Sequence, residues 1–477
     1  MGYNRKTLLN ATIWKLLERF SAQIVSFVVS IVLARILLPE DYGVIAILMV
    51  FINLANVIVD GGFNTALIQK KDADNVDFST IFLFSLLFSV FLYLIIFLSA
   101  PLISYFYDNP ILTPVLRVLG VIIFFNSIGS IQRAYVAKHM VFQQLFYSSL
   151  GSVLLSGLVG IWMAIKGYGV WALVAQQIVA QFATVAIMWI TLKWKPVLVF
   201  SINRFKSLFD YGWKIFMTNF IVAVYEDIRS LIIGKLYQPA SLAFFDRGKQ
   251  LPSLLMTNIN ASIQAILLPA FAADQDNRER VKQMMRRSMK LNSFFVLPLL
   301  VGLFVTAKPL VIVLLTEKWL DAVPFIQIFC AAFMLMPIQS SNMVAIKSLG
   351  YSDVTLKLEI IKKVLEACIM IITFFISVYA VAWGIFIYNF ICVFINLSPN
   401  KRLLNYGIGE QIIDVAPVYG ISILMGCCVY CIGLLPLPNI GLLLIQVISG
   451  AALYVLLCKF FRVDSLDYCI DFIRNRG

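Results

Sequence analysis

The sequence is poor in the residues that enzymes use for chemistry in water. It has one histidine, His139, and only 13% charged residues, about half the share of an ordinary soluble domain. A lone imidazole lacks the partners that acid–base or metal chemistry requires. The eight cysteines, at 330, 368, 392, 427, 428, 431, 458 and 469, lie almost entirely within apolar runs. No histidine partner stands at zinc-site spacing, and a disulfide framework belongs to short secreted chains. They read as small buried hydrophobes. No G-x-x-x-x-G-K-[ST] phosphate loop occurs, which excludes nucleotide hydrolysis by that route. Gly167 and Gly169 make a short turn rather than a dinucleotide fingerprint. No linker is long enough to set off a separate soluble domain.

What the chain has instead is apolar length. It is 61% hydrophobic with a mean hydropathy of +0.90. The net charge of +13 is dispersed between apolar spans, which fits lipid headgroups and membrane topology rather than nucleic acid. Fourteen spans are expected near 12–38, 43–68, 78–100, 115–137, 146–166, 170–192, 213–237, 241–271, 290–316, 323–348, 356–380, 382–398, 413–434 and 438–461, each long enough for a transmembrane helix. The eighth is interrupted by Asp246, Arg247, Lys249 and Gln250. The first is too long and too charged for a signal peptide and is expected in the mature protein. With a cytoplasmic N-terminus, the outer loops hold only Arg117, Lys166, Lys235 and Lys318 of the 38 Lys and Arg residues. Most of the others, among them Arg133, Lys138, Lys357, Lys362 and Lys363, are assigned to cytoplasmic segments. That asymmetry requires an even number of spans and both termini in the cytoplasm. The connector Asp274–Lys290, with Arg286 and Arg287, reads as an orientation signal in contact with anionic lipid. The tail after Arg462 reads as a surface amphipathic helix with Leu466, Cys469, Ile470 and Ile473 on one side.

The span at 12–38 carries Lys15, Arg19 and Gln23 four apart, on one helical face. Charge at that depth belongs against protein or water, not lipid. Its end, Ala34-Arg35-Ile36 with Pro39, is echoed by Gly234-Lys235-Leu236 with Pro239, and Leu67 by Leu267. A basic residue four before a helix-ending proline, repeated at one offset, implies a parallel repeat with the site between its halves. The expected fold is an all-α membrane bundle of about fourteen helices. It divides into an N-lobe at 1–200, a C-lobe at 201–400 and two further helices with a tail at 401–477.

The intramembrane ionisable residues are Lys15, Glu18, Arg19, Arg35 and Asp60, then Lys214, Glu226, Asp227, Arg229, Asp246, Arg247, Lys249, Lys308, Glu359 and Glu366. Glu226 and Arg229 can pair with each other along one helix. Asp60 stands beside Gly61-Gly62, where a helix can unwind and free backbone groups. Arginine suits phosphate because its planar fork binds two oxygens and stays charged. Arg19, Arg247 and Lys249, with Gln23 and Arg35, are therefore the candidate clamp for an anionic headgroup or its glycan. No metal site or cofactor is expected.

Two pairs of stretches carry a resemblance. "SIVLARILLPEDYGVIAI" followed by "DGGFNTALIQKKD", and "LYQPASLAFFDRGKQLPSLL" followed by "ILLPAFAADQDNRERV", are similar to signatures of polysaccharide flippases. These belong to the multidrug/oligosaccharidyl-lipid/polysaccharide exporter superfamily, and the Wzx and colanic-acid-exporter-like branch is the best match. The resemblance implies a bilobed bundle with six helices per lobe. It implies alternating access, by which undecaprenyl-diphosphate-linked repeat units cross the bacterial inner membrane through a cationic cavity. The implied partners are that lipid-linked oligosaccharide, membrane lipids and the polymerase machinery for O-antigen, capsule or exopolysaccharide. An ion-coupled cycle would use H+ or Na+, with Asp60, Glu226 and Asp227 as candidate carriers. The rival readings are a drug antiporter of the same superfamily and a peptidoglycan lipid-precursor flippase.

Overall fold

The computed structural model describes residues 5–273, 277–466 and 468. Asp274 of the connector, and Cys469, Ile470 and Ile473 of the tail, lie outside the described residues. Among the described residues the regular structure is helical throughout. The chain forms two compact units, residues 1–243 and 244–477.

The first unit contains α1 (Arg5–Ile36), α2 (Pro39–Asp60), α3 (Phe63–Gln69), α4 (Asn75–Phe106), α5 (Leu112–Leu119), α6 (Ile122–His139), α7 (Phe142–Ile165), α8 (Val170–Thr191) and α9 (Ile202–Leu236). Helix α10 (Pro239–Ala273) begins in it and runs on into the second unit. There follow α11 (Arg278–Leu315), a 3-10 turn (Glu317–Ala322), α12 (Val323–Met334), α13 (Met336–Ser348), α14 (Ser352–Phe374), α15 (Val378–Leu404), α16 (Ile408–Ile432) and α17 (Asn439–Phe460). Three expected spans are each broken into two helices, so α2–α3, α5–α6 and α12–α13 act as composite rods. With these joined, fourteen rods match the fourteen spans. Eleven of them are long and apolar enough to cross a membrane. The eighth span is one continuous helix despite its charges, since Asp, Arg, Lys and Gln are all tolerated inside a helix.

Helix ends follow local chemistry. Pro39 opens α2 and Pro239 opens α10, where the missing proline N–H is no loss. Asp74 caps α4 by accepting from the Asp77 amide at 3.0 Å, and the Asp77 carboxylate accepts from the Asp74 amide at 3.1 Å. Asp77 also holds Lys70 at 2.7 Å and Arg204 at 3.3 Å, and Arg204 pairs with Asp74. This clasp fixes the start of α9 to the start of α4. The Arg204 hydrogen bond holds the Asp74 carboxyl below its ordinary value.

In lipid, helices are joined by close packing of small residues rather than by the hydrophobic effect. Helix α7 shows this with a buried stripe at Ser148, Ser152, Ser156, Gly160 and Ala164, every fourth residue on one face. Gly157 of the same helix faces Val29 of α1. Elsewhere backbones meet directly. A β-carbon at Gly43 would overlap the Pro239 carbonyl, and one at Gly62 would overlap the Gly212 carbonyl.

Two stretches of the chain end and begin helices in the same way. Helix α1 ends at Ile36 and α9 at Leu236, each three residues before the proline that opens the next helix. The left-handed Met140 precedes α7, and the left-handed Gly350 precedes α14.

Candidate functional site

In the first unit the polar chemistry gathers where α2 breaks. Gly61 and Gly62 adopt left-handed conformations, with φ of 50° and 72°, which a residue with a side chain adopts only under strain. The chain turns there into α3 and leaves Asp60 at the last position of α2. Ser130 of α6 donates to the Asp60 carboxylate. Asn64 donates to it at 3.4 Å and to the Ser130 hydroxyl at 2.6 Å. Arg133, one turn along α6, is near enough to act on Asp60 electrostatically. Its guanidinium folds back over Gly129, where a β-carbon would lie 3.1 Å from Nη1. The Asn64 Oδ1 is buried without a hydrogen-bond partner among the described residues. Carboxylate, hydroxyl and amide oxygens are hard donors suited to a proton or a small cation. Arg133 sets a positive charge beside that group of oxygens.

Asp60 was legible as a candidate. Its partners were not, because Ser130 and Arg133 enter from another helix. Arg133, expected at the cytoplasmic end of its span, sits within α6, half-buried. The run of alternating polar residues at the end of that span conceals its depth. Lys357, Lys362 and Lys363, expected at the cytoplasmic end of their span, lie in α14. Lys362 is buried and meets Glu359 at 2.6 Å, and Lys363 meets Glu366 at 3.2 Å. Each pair is three apart and neutralises its own helix. Glu359 and Glu366 therefore have partners on the same helix.

The other candidates are distributed over three helices. Arg19 is exposed on α1 and Gln23 is half-buried. Beside them Lys15 sits 5.3 Å above the Phe142 ring, and Glu18 accepts from Ser149 at 2.9 Å. These contacts fix one side of α1 to α7. Arg35 is exposed in the last turn of α1. Its counterpart Lys235 pairs with Asp108 at 3.1 Å and donates to the Phe106 carbonyl. Nearby, Tyr107 donates to the Leu231 carbonyl at 3.2 Å, and burial pushes its phenol up to about 12. Together they tether the end of α9 to the loop after α4. Glu226 is exposed and Asp227 half-buried on α9. Arg247 and Lys249 are half-buried on α10. Arg247 lies 5.5 Å over the Trp319 ring and donates to Gln250 at 2.9 Å. The edge contact of Phe245 with Phe329, centroids 5.2 Å apart, fixes this turn against α12.

With the fold and these charges in place, the comparison with known proteins is direct. The sequence profile described as "Polysaccharide biosynthesis protein" matches residues 32–324. The chain belongs to that family. It is similar to the teichuronic acid biosynthesis protein TuaB of Bacillus subtilis (strain 168), 24% identical over 63% of this chain and 62% of the relative. It is similar to the succinoglycan biosynthesis transport protein ExoT of Rhizobium meliloti (strain 1021), 22% identical over 67% and 65%. A third relative is the lipopolysaccharide biosynthesis protein WzxC of Escherichia coli (strain K12), 21% identical over 69% and 68%. The chain thus spans less than two thirds of the length of the first two.

Among solved structures, the lipid II flippase MurJ in an inward closed conformation superposes with a TM-score of 0.75 at 16% identity, over 95% of this chain and 99% of that one. An inward-facing multidrug resistance MATE family transporter of the MOP superfamily superposes with a TM-score of 0.59 at 14% identity, over 84% and 96%. This polysaccharide biosynthesis family member is thus a multi-pass membrane protein with the fold shared by flippases and MOP-superfamily transporters.

Proposed function

We propose that the protein is a flippase that moves undecaprenyl-diphosphate-linked oligosaccharide repeat units across the bacterial inner membrane, with both termini in the cytoplasm. The observation that carries this reading is the polysaccharide biosynthesis profile over residues 32–324, on a chain whose fold follows that of a lipid-linked-precursor flippase over 95% of its length. Two six-helix lobes, 1–200 and 201–400, with 401–477 appended, would alternate access. Arg19, Gln23, Arg35, Arg247 and Lys249 would hold diphosphate and sugars, because a charge-assisted bidentate bond is strongest where water is scarce. Asp60, with its hydroxyl and amide neighbours, is the candidate carrier of H+ or Na+, and Glu226 and Asp227 are alternatives. The product would pass to polymerisation of O-antigen, capsule or exopolysaccharide. No step in this scheme makes or breaks a covalent bond.

The test is loss of the gene with lipid-linked repeat units followed on each face of the membrane. The reading requires cytoplasmic accumulation together with loss of surface polysaccharide, and Arg19→Ala and Arg247→Ala should reproduce both. Wild-type export by the two variants would remove those residues from the site. A second reading, transport of a peptidoglycan lipid precursor, is favoured by the superposition on the lipid II flippase. Rescue of cells depleted of their own lipid II flippase, with surface polysaccharide unaffected by gene loss, would select it. A drug antiporter of the same superfamily would instead lower drug susceptibility on overexpression.

A further inference from the structure

A further concentration of positive charge lies at the start of α11. A cavity of about 310 Å³ is bordered there by Arg286, Arg287, Lys290 and Leu291 of α11 and by Asp464, Ser465 and Tyr468 beyond α17. Arg286 reaches the Asp414 carboxylate at 2.5 Å. Lys290 lies 3.7 Å from that carboxylate and 3.1 Å from Asp464. Asp414 is held in turn by the Tyr406 hydroxyl at 2.5 Å, so the acid that orients the two cations is itself fixed. Arg287 lies against the Tyr468 ring, 3.6 Å from its centroid, and has no carboxylate within ion-pair distance among the described residues. Three cations thus face two acids. A guanidinium held by its face on a ring keeps its in-plane donors for a planar or tetrahedral oxyanion.

The neighbouring surface specifies what kind of oxyanion fits. A groove of about 490 Å³ begins three residues further along α11. It is lined by Phe294, Pro298 and Gly302 of that helix, by Met425 of α16 and by Gly450 and Tyr454 of α17. Residues 287, 291, 294, 298 and 302 follow one another at spacings of three or four and form one stripe on α11. The opposite wall is α17 for the groove and the segment just after α17 for the cavity. A basic pocket and an apolar groove therefore share the same two walls. Free phosphate would use only the first, and a hydrocarbon only the second.

We propose that this furrow binds an anionic phospholipid of the bilayer, with phosphate oxygens on Arg286, Arg287 and Lys290 and one acyl chain along the groove. The site is independent of the transported substrate. The loop charges assign this end of the bundle to the cytoplasmic face, whose anionic lipids attract basic side chains by about 1 kcal/mol each.

The full-length protein, carried in zwitterionic phosphatidylcholine nanodiscs, is titrated with phosphatidylglycerol and, separately, with inorganic phosphate, and bound lipid is counted by native mass spectrometry. Phosphatidylglycerol should be retained in preference to phosphatidylcholine. Arg287→Gln should weaken its binding about fivefold, with Lys290→Gln as an independent check. Ala451→Phe, which fills the groove and leaves the cations in place, should weaken retention of phosphatidylglycerol while leaving the headgroup preference. Equal retention of the two lipids by the wild type, or unchanged binding in both charge variants, overturns the proposal. So does protection by millimolar inorganic phosphate that is equal in the wild type and Ala451→Phe, which would assign the pocket to a soluble anion.

Discussion

The two units bury polar side chains in opposite ways. At the α2–α3 break the first unit keeps a carboxylate, a guanidinium, a hydroxyl and an amide together. In the second unit one buried network is built from amides. Asn342 of α13 donates to Gln411 of α16 at 2.8 Å and accepts from Asn400 of α15 at 2.5 Å, and Gln411 donates to the Tyr406 carbonyl at 3.1 Å. Nearby, Gln339 donates to the Asn389 carbonyl at 3.0 Å and accepts from Asn396 at 3.3 Å. Neutral amides bind three helices whatever the pH or ion concentration. A charged pair beside a left-handed diglycine changes its own balance when a proton or cation arrives. The first arrangement is suited to switching and the second to holding.

The comparison can be broken at several points. The largest stability effect is expected from Gly62→Ala. A β-carbon there meets the Gly212 carbonyl and sits on a left-handed backbone, and the combined clash and strain should exceed about 3 kcal/mol. Thermal unfolding in detergent would register it, and a wild-type midpoint would show that α9 can move away without loss. Next comes Asn342→Leu, which strands the Asn400 and Gln411 amides and should cost about 1–3 kcal/mol. If that variant keeps its unfolding midpoint, the second unit's amides are not what holds it.

Asp60→Asn should behave in the reverse sense. The hydrogen bonds of Ser130 and Asn64 can be largely retained, so stability should change by less than about 1 kcal/mol, while export falls about tenfold or more. Normal export with a lowered midpoint would make Asp60 a structural residue like Asn342. The smallest effect belongs to the clasp at Asp74. Its carboxyl is held below the ordinary value of 3.8 by Arg204, so its contribution is present above that pH and is lost as pH falls through the depressed value. The pair is solvent-exposed and screened. A midpoint scan in acid should show a slight loss that Arg204→Gln removes, and an unchanged acid slope in that variant would place the dependence elsewhere.

How much of this the sequence carried differs by level. The rods were legible because apolar length and prolines mark them directly, and Gly61-Gly62 announced its break because two glycines favour a left-handed turn. Asp60 stood out as an acid in an apolar span. Its neighbours Asn64, Ser130 and Arg133 did not, because a hydrogen bond between helices leaves no period in either. The amide network was invisible for the same reason: Asn342, Asn400 and Gln411 are isolated polar residues in otherwise ordinary spans. The pairs within α14, Glu359 with Lys362 and Glu366 with Lys363, were not legible either, because a spacing of three permits a pair on a helix without requiring one.

Where α2 and α10 begin, Gly43 and Pro239 meet backbone to backbone, with nothing soft between them to compress. Such a joint can roll but cannot slide or close further.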